Sequence, residues 1–169
     1  MPTNLSILVF IASPLDYARY RHTALYFEFG KPDEKPDDTA TPTGVPGQVA
    51  PLSIKSSVME VVGSPGFFSF SERVNADLPG PATGLAQAIR VSSIPDTVPV
   101  PALRATASGT PIPEATGDWN SQNWVGDVLE RFVNAGYLDG EARDRGLDEM
   151  VDVVMEAKDE EIIRFGSMG

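Results

Sequence analysis

The apolar positions of this chain change period once along its length. Up to about residue 94 they come as short runs and alternations. Ile7–Ala12 is a continuous apolar run closed by Ser13-Pro14, and Ala24–Phe29 places Leu25, Phe27 and Phe29 on one side before stopping at Gly30. In Ile54–Val62, Val58, Glu60 and Val62 share one parity while Met59 and Val61 share the other. Such runs predict strands, the continuous one covered on both faces. Gly63-Ser64-Pro65-Gly66 reads as a hairpin turn into a returning strand at Phe67-Phe68-Ser69-Phe70, and Ala86–Ile94 is a further strand ended by Pro95. Four or five strands joined by short turns favour antiparallel pairing.

From residue 120 the period becomes helical. Trp124, Val125, Val128, Leu129, Phe132 and Val133 form a stripe with Asp127, Glu130 and Arg131 turned away, and Gly136 is a fitting stop. A second helix fits Gly140 to about Lys158, with Leu147, Met150, Val151, Val154 and Met155 as its stripe and a strongly acidic opposite face. Residues 31–52, rich in Pro, Asp, Thr and Gly, show no period and read as a long mobile connection. Strands first and helices last predict an α+β fold: a small antiparallel sheet packed against C-terminal helices, the one at 120–135 lying on the sheet. At 169 residues the chain suits a single domain spanning 1–169.

Charge and composition remove several classes of function. A formal charge of −11 and a pI near 4.4 oppose sequence-independent attraction to nucleic acid or to anionic membranes. No cysteine and a single histidine exclude disulfides, thiolate zinc sites and paired-histidine metal motifs; carboxylates leave a hard cation open, but no calcium-loop pattern occurs, and neither metal nor cofactor is expected. The apolar run at 5–12 lacks the basic flank of a targeting segment, and no stretch approaches the roughly 20 apolar residues of a membrane span. An intracellular protein of cytoplasmic location is the expectation, with no prediction of oligomeric state.

The candidate chemistry lies where the two halves meet. Ser121 falls at the start of the helix at 120–135, where backbone N–H groups point outward. Asp118 and Asn120 are both good cap residues, and Ser121 is either the N-cap itself or a nucleophile held in the first turn. A hydroxyl needs a general base within about 3 Å, and His22, opening the strand at 24–29, is the one imidazole present. The other reading of His22 is a hydrogen-bonded structural residue.

Two blocks carry a resemblance. Arg21-His22-Thr23-Ala24-Leu25-Tyr26, followed much later by Asn120-Ser121-Gln122-Asn123-Trp124-Val125, resembles circularly permuted papain-like proteins of the lecithin:retinol acyltransferase-like group. In that group a strand opens H-x-(A/G)-(L/I)-Y and a helix opens N-C-(E/Q)-(H/N)-(F/W)-V. The hairpin at 61–68 and the Trp119–Trp124 block also resemble a fungal branch of it, and these anchors span residues 20–133. The resemblance implies a permuted papain-like fold and a thiol hydrolase or acyltransferase acting on a small-molecule or peptide acyl substrate through a covalent acyl-enzyme. The group's cysteine is replaced here by Ser121. That is an inactivating replacement, a natural serine variant using His22, or a natural pseudoenzyme, and activity is expected to be weak or absent.

By the same resemblance Glu60 matches the residue that orients the imidazole, its alternative being an exposed strand position. Gln122 would offer an amide to an oxyanion or face solvent. Trp119, Tyr20 and Tyr26 are candidates to line the substrate pocket, together with Tyr17, while Trp124 suits the core. Arg19 and Arg21 would meet a substrate carboxylate or lie solvated. The competing reading is a non-catalytic binding module on the same fold, with the acidic helix at 140–158 as its first surface.

Overall fold

The computed structural model describes residues 2–30, 54–114 and 118–159. The expected mobile connection at 31–52 lies outside them. Five strands, β1 (Thr3–Phe10), β2 (Thr23–Glu28), β3 (Ser56–Val62), β4 (Ser69–Val74) and β5 (Leu85–Ile94), form one antiparallel sheet in the order β4-β3-β2-β1-β5. Three helices follow: α1 (Val100–Ser108), α2 (Ser121–Asn134) and α3 (Gly140–Met155). The arrangement is α+β, as the change of period predicts.

β2 occupies the middle of the sheet, and all its residues except Glu28 are buried. Its two parities feed two cores. Leu25 and Phe27 join Leu5, Ile7, Met59 and Ile89 under the helices, where they meet Trp124, Val128 and Phe132 of α2. Ala24 and Tyr26 face the other way into a smaller cluster with Leu8 and Val58, closed by Phe10, Ala76, Leu85 and Ala88. The alternation of the strand thus sends Thr23 toward the helices and His22 toward the opposite side.

α2 buries the stripe read from the sequence, with Val133 at its margin. α3 departs from its expected stripe. Val151 and Met155 are 52% and 60% exposed, and the buried face is Ala142, Gly146, Met150, Val153 and Val154. The cause is close approach: a Cβ on Gly146 would sit 3.2 Å from Val91 Cγ2, so the helix meets β5 through its small residues rather than through its bulkiest ones. α1 was not expected. It buries little beyond Leu103 and Ala107, too weak a period to register among the prolines around it.

β1 begins four residues earlier than the run Ile7–Ala12, because Asn4 and Ser6 alternate with Leu5 and Ile7, and it ends before Ile11, which is 50% exposed. The returning strand of the hairpin starts at Ser69 rather than Phe67. Phe67 is 82% exposed and its N–H closes a turn on Ser64 O, leaving the polar stretch Ser71-Glu72-Arg73 to form the edge strand. The turn requires glycine at its first position: Gly63 has φ of +122°, and a Cβ there would meet Phe67 O at 2.4 Å. Gly63→Ala is therefore expected to destabilise the protein by about 2 kcal/mol, read as a fall in the urea midpoint at unchanged slope.

Candidate active site

His22 immediately precedes β2, and its carbonyl accepts the Phe10 N–H at 2.8 Å. The pairing of Leu25 with Met59 brings the His22 and Glu60 parities to one side of the sheet, and His22 Nε2 lies 2.7 Å from Glu60 Oε2. A carboxylate only accepts, so Nε2 carries the proton and Nδ1 is left as the basic nitrogen of the neutral ring. The hydrogen bond from His22 holds the Glu60 carboxyl below its ordinary range against the opposing effect of burial, which keeps it ionised at neutral pH. The Phe10 ring packs against the imidazole with centroids 5.8 Å apart.

α2 delivers Ser121 to the same end of β2. Asn120 is the N-cap, not Ser121. Its side chain accepts the N–H groups of Gln122 and Asn123, and Asn123 Oδ1 accepts the Asn120 N–H, a reciprocal capping box. Ser121 is the first helical residue. The cap and the helix use the N–H groups that follow it, and among the described residues its own N–H has no protein acceptor. Its Oγ is buried and accepts the Thr23 N–H at 3.1 Å. No hydrogen bond joins the Ser121 hydroxyl to the His22 ring.

Ser121 and His22 nevertheless line one cleft, of about 540 Å³, with Arg19, Tyr20, Trp119 and Phe68 in its walls. His22 and Glu60 also line a second cleft, of about 700 Å³, whose apolar walls include Phe10, Val62, Phe68 and Leu78. His22, Gly63 and Phe68 belong to both. The imidazole therefore stands at the boundary of two recesses, one containing residue 121 and the other the carboxylate.

The remaining candidates divide clearly. Trp119 is half-buried in the first cleft, edge-on to Phe68 at 5.6 Å, and Tyr20 is 56% exposed at its mouth. Gln122 does not aim at an oxyanion: its amide donates to Ala18 O at 2.9 Å and to Arg21 O at 3.1 Å. Tyr26 leaves the site altogether, buried in the small cluster with Val58, where desolvation pushes its hydroxyl pKa up. Its parity puts it on the His22 side, but four residues further along it is covered by Val58 and its neighbours. Trp124 is core, against Phe70. Asp118 lines the first cleft and caps nothing.

Arg21 is not available to a substrate. It is 4% exposed, forks onto Asp16 with Nε to Oδ1 at 2.8 Å and Nη2 to Oδ2 at 2.6 Å, and donates from Nη1 to Val153 O at 2.7 Å. Asp16 escaped the sequence reading because nothing in the order Pro14-Leu15-Asp16 marks a partner five residues on. The Thr23 N–H, a backbone donor, has no sequence signal at all. Phe68 carries only a strand signal in the sequence.

Among the described residues no group of three or more acidic, cysteine or histidine side chains is placed to hold a metal ion, and no helix is long and apolar enough to cross a membrane. Compared with models of protein families, with curated proteins and with solved structures, the chain finds no match.

The Arg21–Asp16 pair fixes the segment that precedes His22, and it generates a stability test. The hydrogen bond from Arg21 is the main force that draws the Asp16 carboxyl from 3.8 down to about 2. A depressed carboxyl stabilises the fold fully above its unfolded value, and that contribution is lost as pH falls from 3.8 toward 2. Arg21→Ala, which leaves a buried carboxylate unpaired, is expected to cost about 3 kcal/mol at neutral pH. The variant should also lose the wild type's sloping stability across that acid window, both measured by urea denaturation as a function of pH.

Proposed function

We propose that this chain is a permuted papain-like domain built for acyl transfer or hydrolysis through a covalent acyl-enzyme, with residue 121 in the nucleophile's place and weak or no activity while that residue is serine. The observation that carries this reading is the Glu60–His22 hydrogen bond of 2.7 Å beside a cleft that His22 shares with Ser121 at the start of α2. Glu60 fixes the tautomer that exposes a basic Nδ1, as the third member of a nucleophile–imidazole–carboxylate set does. The order along the chain, imidazole on an early strand and nucleophile on a later helix, is that of the permuted group.

In the proposed reaction His22 Nδ1 accepts the proton of residue 121 as its Oγ, or a thiol sulfur in its place, bonds to the carbonyl carbon of an amide or ester. The carbonyl oxygen becomes an oxyanion beside the Ser121 N–H, which has no protein acceptor among the described residues, and the positive end of α2. The bond to the leaving group then breaks, and His22 returns the proton to the departing nitrogen or oxygen. Water or an acceptor repeats the sequence on the acyl-enzyme. Glu60 positions His22, and Gln122 holds the preceding segment in place rather than the oxyanion.

One observation favours a second reading, a binding module that has lost the chemistry: the Ser121 hydroxyl is held by the Thr23 N–H and makes no hydrogen bond to His22. A serine so held lacks the activation a hydroxyl needs. A substitution separates the two readings cleanly because the chain has no cysteine of its own. Under the acyl-transfer reading, Ser121→Cys introduces a thiol that is alkylated by iodoacetamide at least about tenfold faster than free cysteine at mildly acidic pH, where a thiol of pKa about 8.5 is protonated. Adding His22→Ala should return the rate to that of the free thiol, and Glu60→Gln should lower it partway. An introduced thiol that is no faster than free cysteine, in a chain with native circular dichroism, leaves the binding module standing.

A further inference from the structure

Among the described residues, the cleft beside Ser121 contains one cation with no carboxylate paired to it, Arg19. Arg19 lies in the short 3-10 turn Ala18–Tyr20, is exposed, and lines the same recess as Ser121 and His22. Its guanidinium carbon sits 4.7 Å from the centre of the Tyr20 ring and 6.0 Å from that of Tyr17, so it rests on an aromatic shelf. Six other described arginines donate to protein oxygens: Arg21, Arg90, Arg104, Arg131, Arg143 and Arg145. Arg73 does not, but it lies close enough to Glu60 to lower that carboxyl. Asp118 lines the Arg19 cleft without forming an ion pair with it.

The turn that carries Arg19 is held in place on several sides. Asn120 Nδ2 donates to Arg19 O at 3.2 Å, the Gln122 amide takes Ala18 O and Arg21 O, and Arg21 is locked to Asp16 and Val153. The residues that cap α2 and follow Ser121 thus also fix the backbone beneath Arg19. The guanidinium lines the same cleft as the candidate nucleophile, and among the described residues no protein oxygen accepts from its five donors, an arrangement that suits a carboxylate. A chain of charge −11 repels anions at long range, so an anion bound here would be recognised by this local arrangement and not by the overall field.

We propose that Arg19 is a specificity residue that reads a carboxylate on the substrate reaching residue 121, so that the cleft selects an amide or ester whose polar arm ends in a carboxylate. A recess of about 540 Å³ walled by Trp119, Tyr20 and Phe68 has room for a small group of this kind, with aromatic faces for its apolar part and one cation for its charge. This inference rests on the acyl-transfer reading of Ser121 and His22, and its test is chosen so that the two fail separately.

The test uses the full chain carrying Ser121→Cys and compares a neutral with an anionic alkylating agent of the same size. The pairs are iodoacetamide with iodoacetate, and 3-bromopropionamide with 3-bromopropionate, whose arm is one methylene longer. In at least one pair the anionic reagent should gain on the neutral one relative to the same ratio for a free thiol. Adding Arg19→Gln should lower that ratio about tenfold, the order expected for losing a charge-assisted hydrogen bond. The hydrogen bond that ties Arg19 to the cap of α2 uses its backbone carbonyl, so the variant keeps the turn, which circular dichroism checks. Anionic-to-neutral ratios equal to those of the free thiol in both pairs, or a raised ratio indifferent to Arg19→Gln, would overturn the assignment of Arg19 while leaving an activated thiol intact. A thiol slow toward both neutral reagents overturns the underlying reading of residue 121.

Discussion

The first turn of α2 is fastened to the segment leading into β2, and the arrangement of the site depends on that junction. Asn120 Nδ2 reaches Arg19 O, Ser121 Oγ accepts from Thr23 N–H, and the Gln122 amide spans Ala18 O and Arg21 O. These bonds join side chains that begin a helix to backbone groups of the segment entering the sheet, and those to Thr23 N–H and to the Ala18 and Arg21 carbonyls lie where an unpaired polar group is costly. They tie elements about a hundred residues apart in sequence into one rigid corner. The sheet contributes the other half: β2 pairs with β3 in a register that brings Glu60 to His22. Helix start and strand start meet at the same end of the sheet, and the imidazole lies between them, bordering both clefts.

The fold was legible in the sequence wherever burial imposes a period. The alternation over 24–29 and the stripe Trp124–Phe132 determine which faces meet, and both appear in the structure as read. What escaped did so for definable reasons. α3 packs through Gly146 and Ala142, and a contact made by the absence of a side chain leaves no apolar signal, so the eye is drawn to Val151 and Met155, which face outward. The edge strand β4 buries too little to alternate cleanly, and α1 rests on two buried side chains.

Of the candidate site, His22, Ser121, Glu60, Trp119 and Tyr20 were legible, and the structure gathers all five around adjoining clefts. Tyr26 and Gln122 lie elsewhere than their proximity in sequence suggests: Tyr26 shares the His22 face but is buried in its own cluster with Val58, and an amide beside a helix start finds backbone carbonyls before it finds a ligand. The division between Arg19 and Arg21 was beyond sequence altogether: two residues apart, one is consumed by Asp16 and the other rests on tyrosine rings.

The serine at position 121 is the point at which scaffold and chemistry part. In the proposed acyl transfer the positive end of α2, the Ser121 N–H and the Glu60-held imidazole would all act on charge that appears during the reaction, and none depends on which atom attacks. The attacking atom depends on them unequally. A thiol beside an imidazole at a helix N-terminus is driven toward thiolate, the nucleophilic form, whereas a hydroxyl titrates far too high for the same field to ionise it and must lose its proton during attack. Here that hydroxyl accepts a hydrogen bond from Thr23 N–H, which lowers the electron density of the atom that would attack and orients it toward the strand. A neutral thiol sulfur is a weaker acceptor than a hydroxyl, and on ionising it would accept the same N–H as a charge-assisted bond that favours the thiolate. On the acyl-transfer reading we propose, the surroundings of residue 121 therefore suit a thiolate better than the serine that occupies the position, and residue 121 is the weakest part of the proposed machinery.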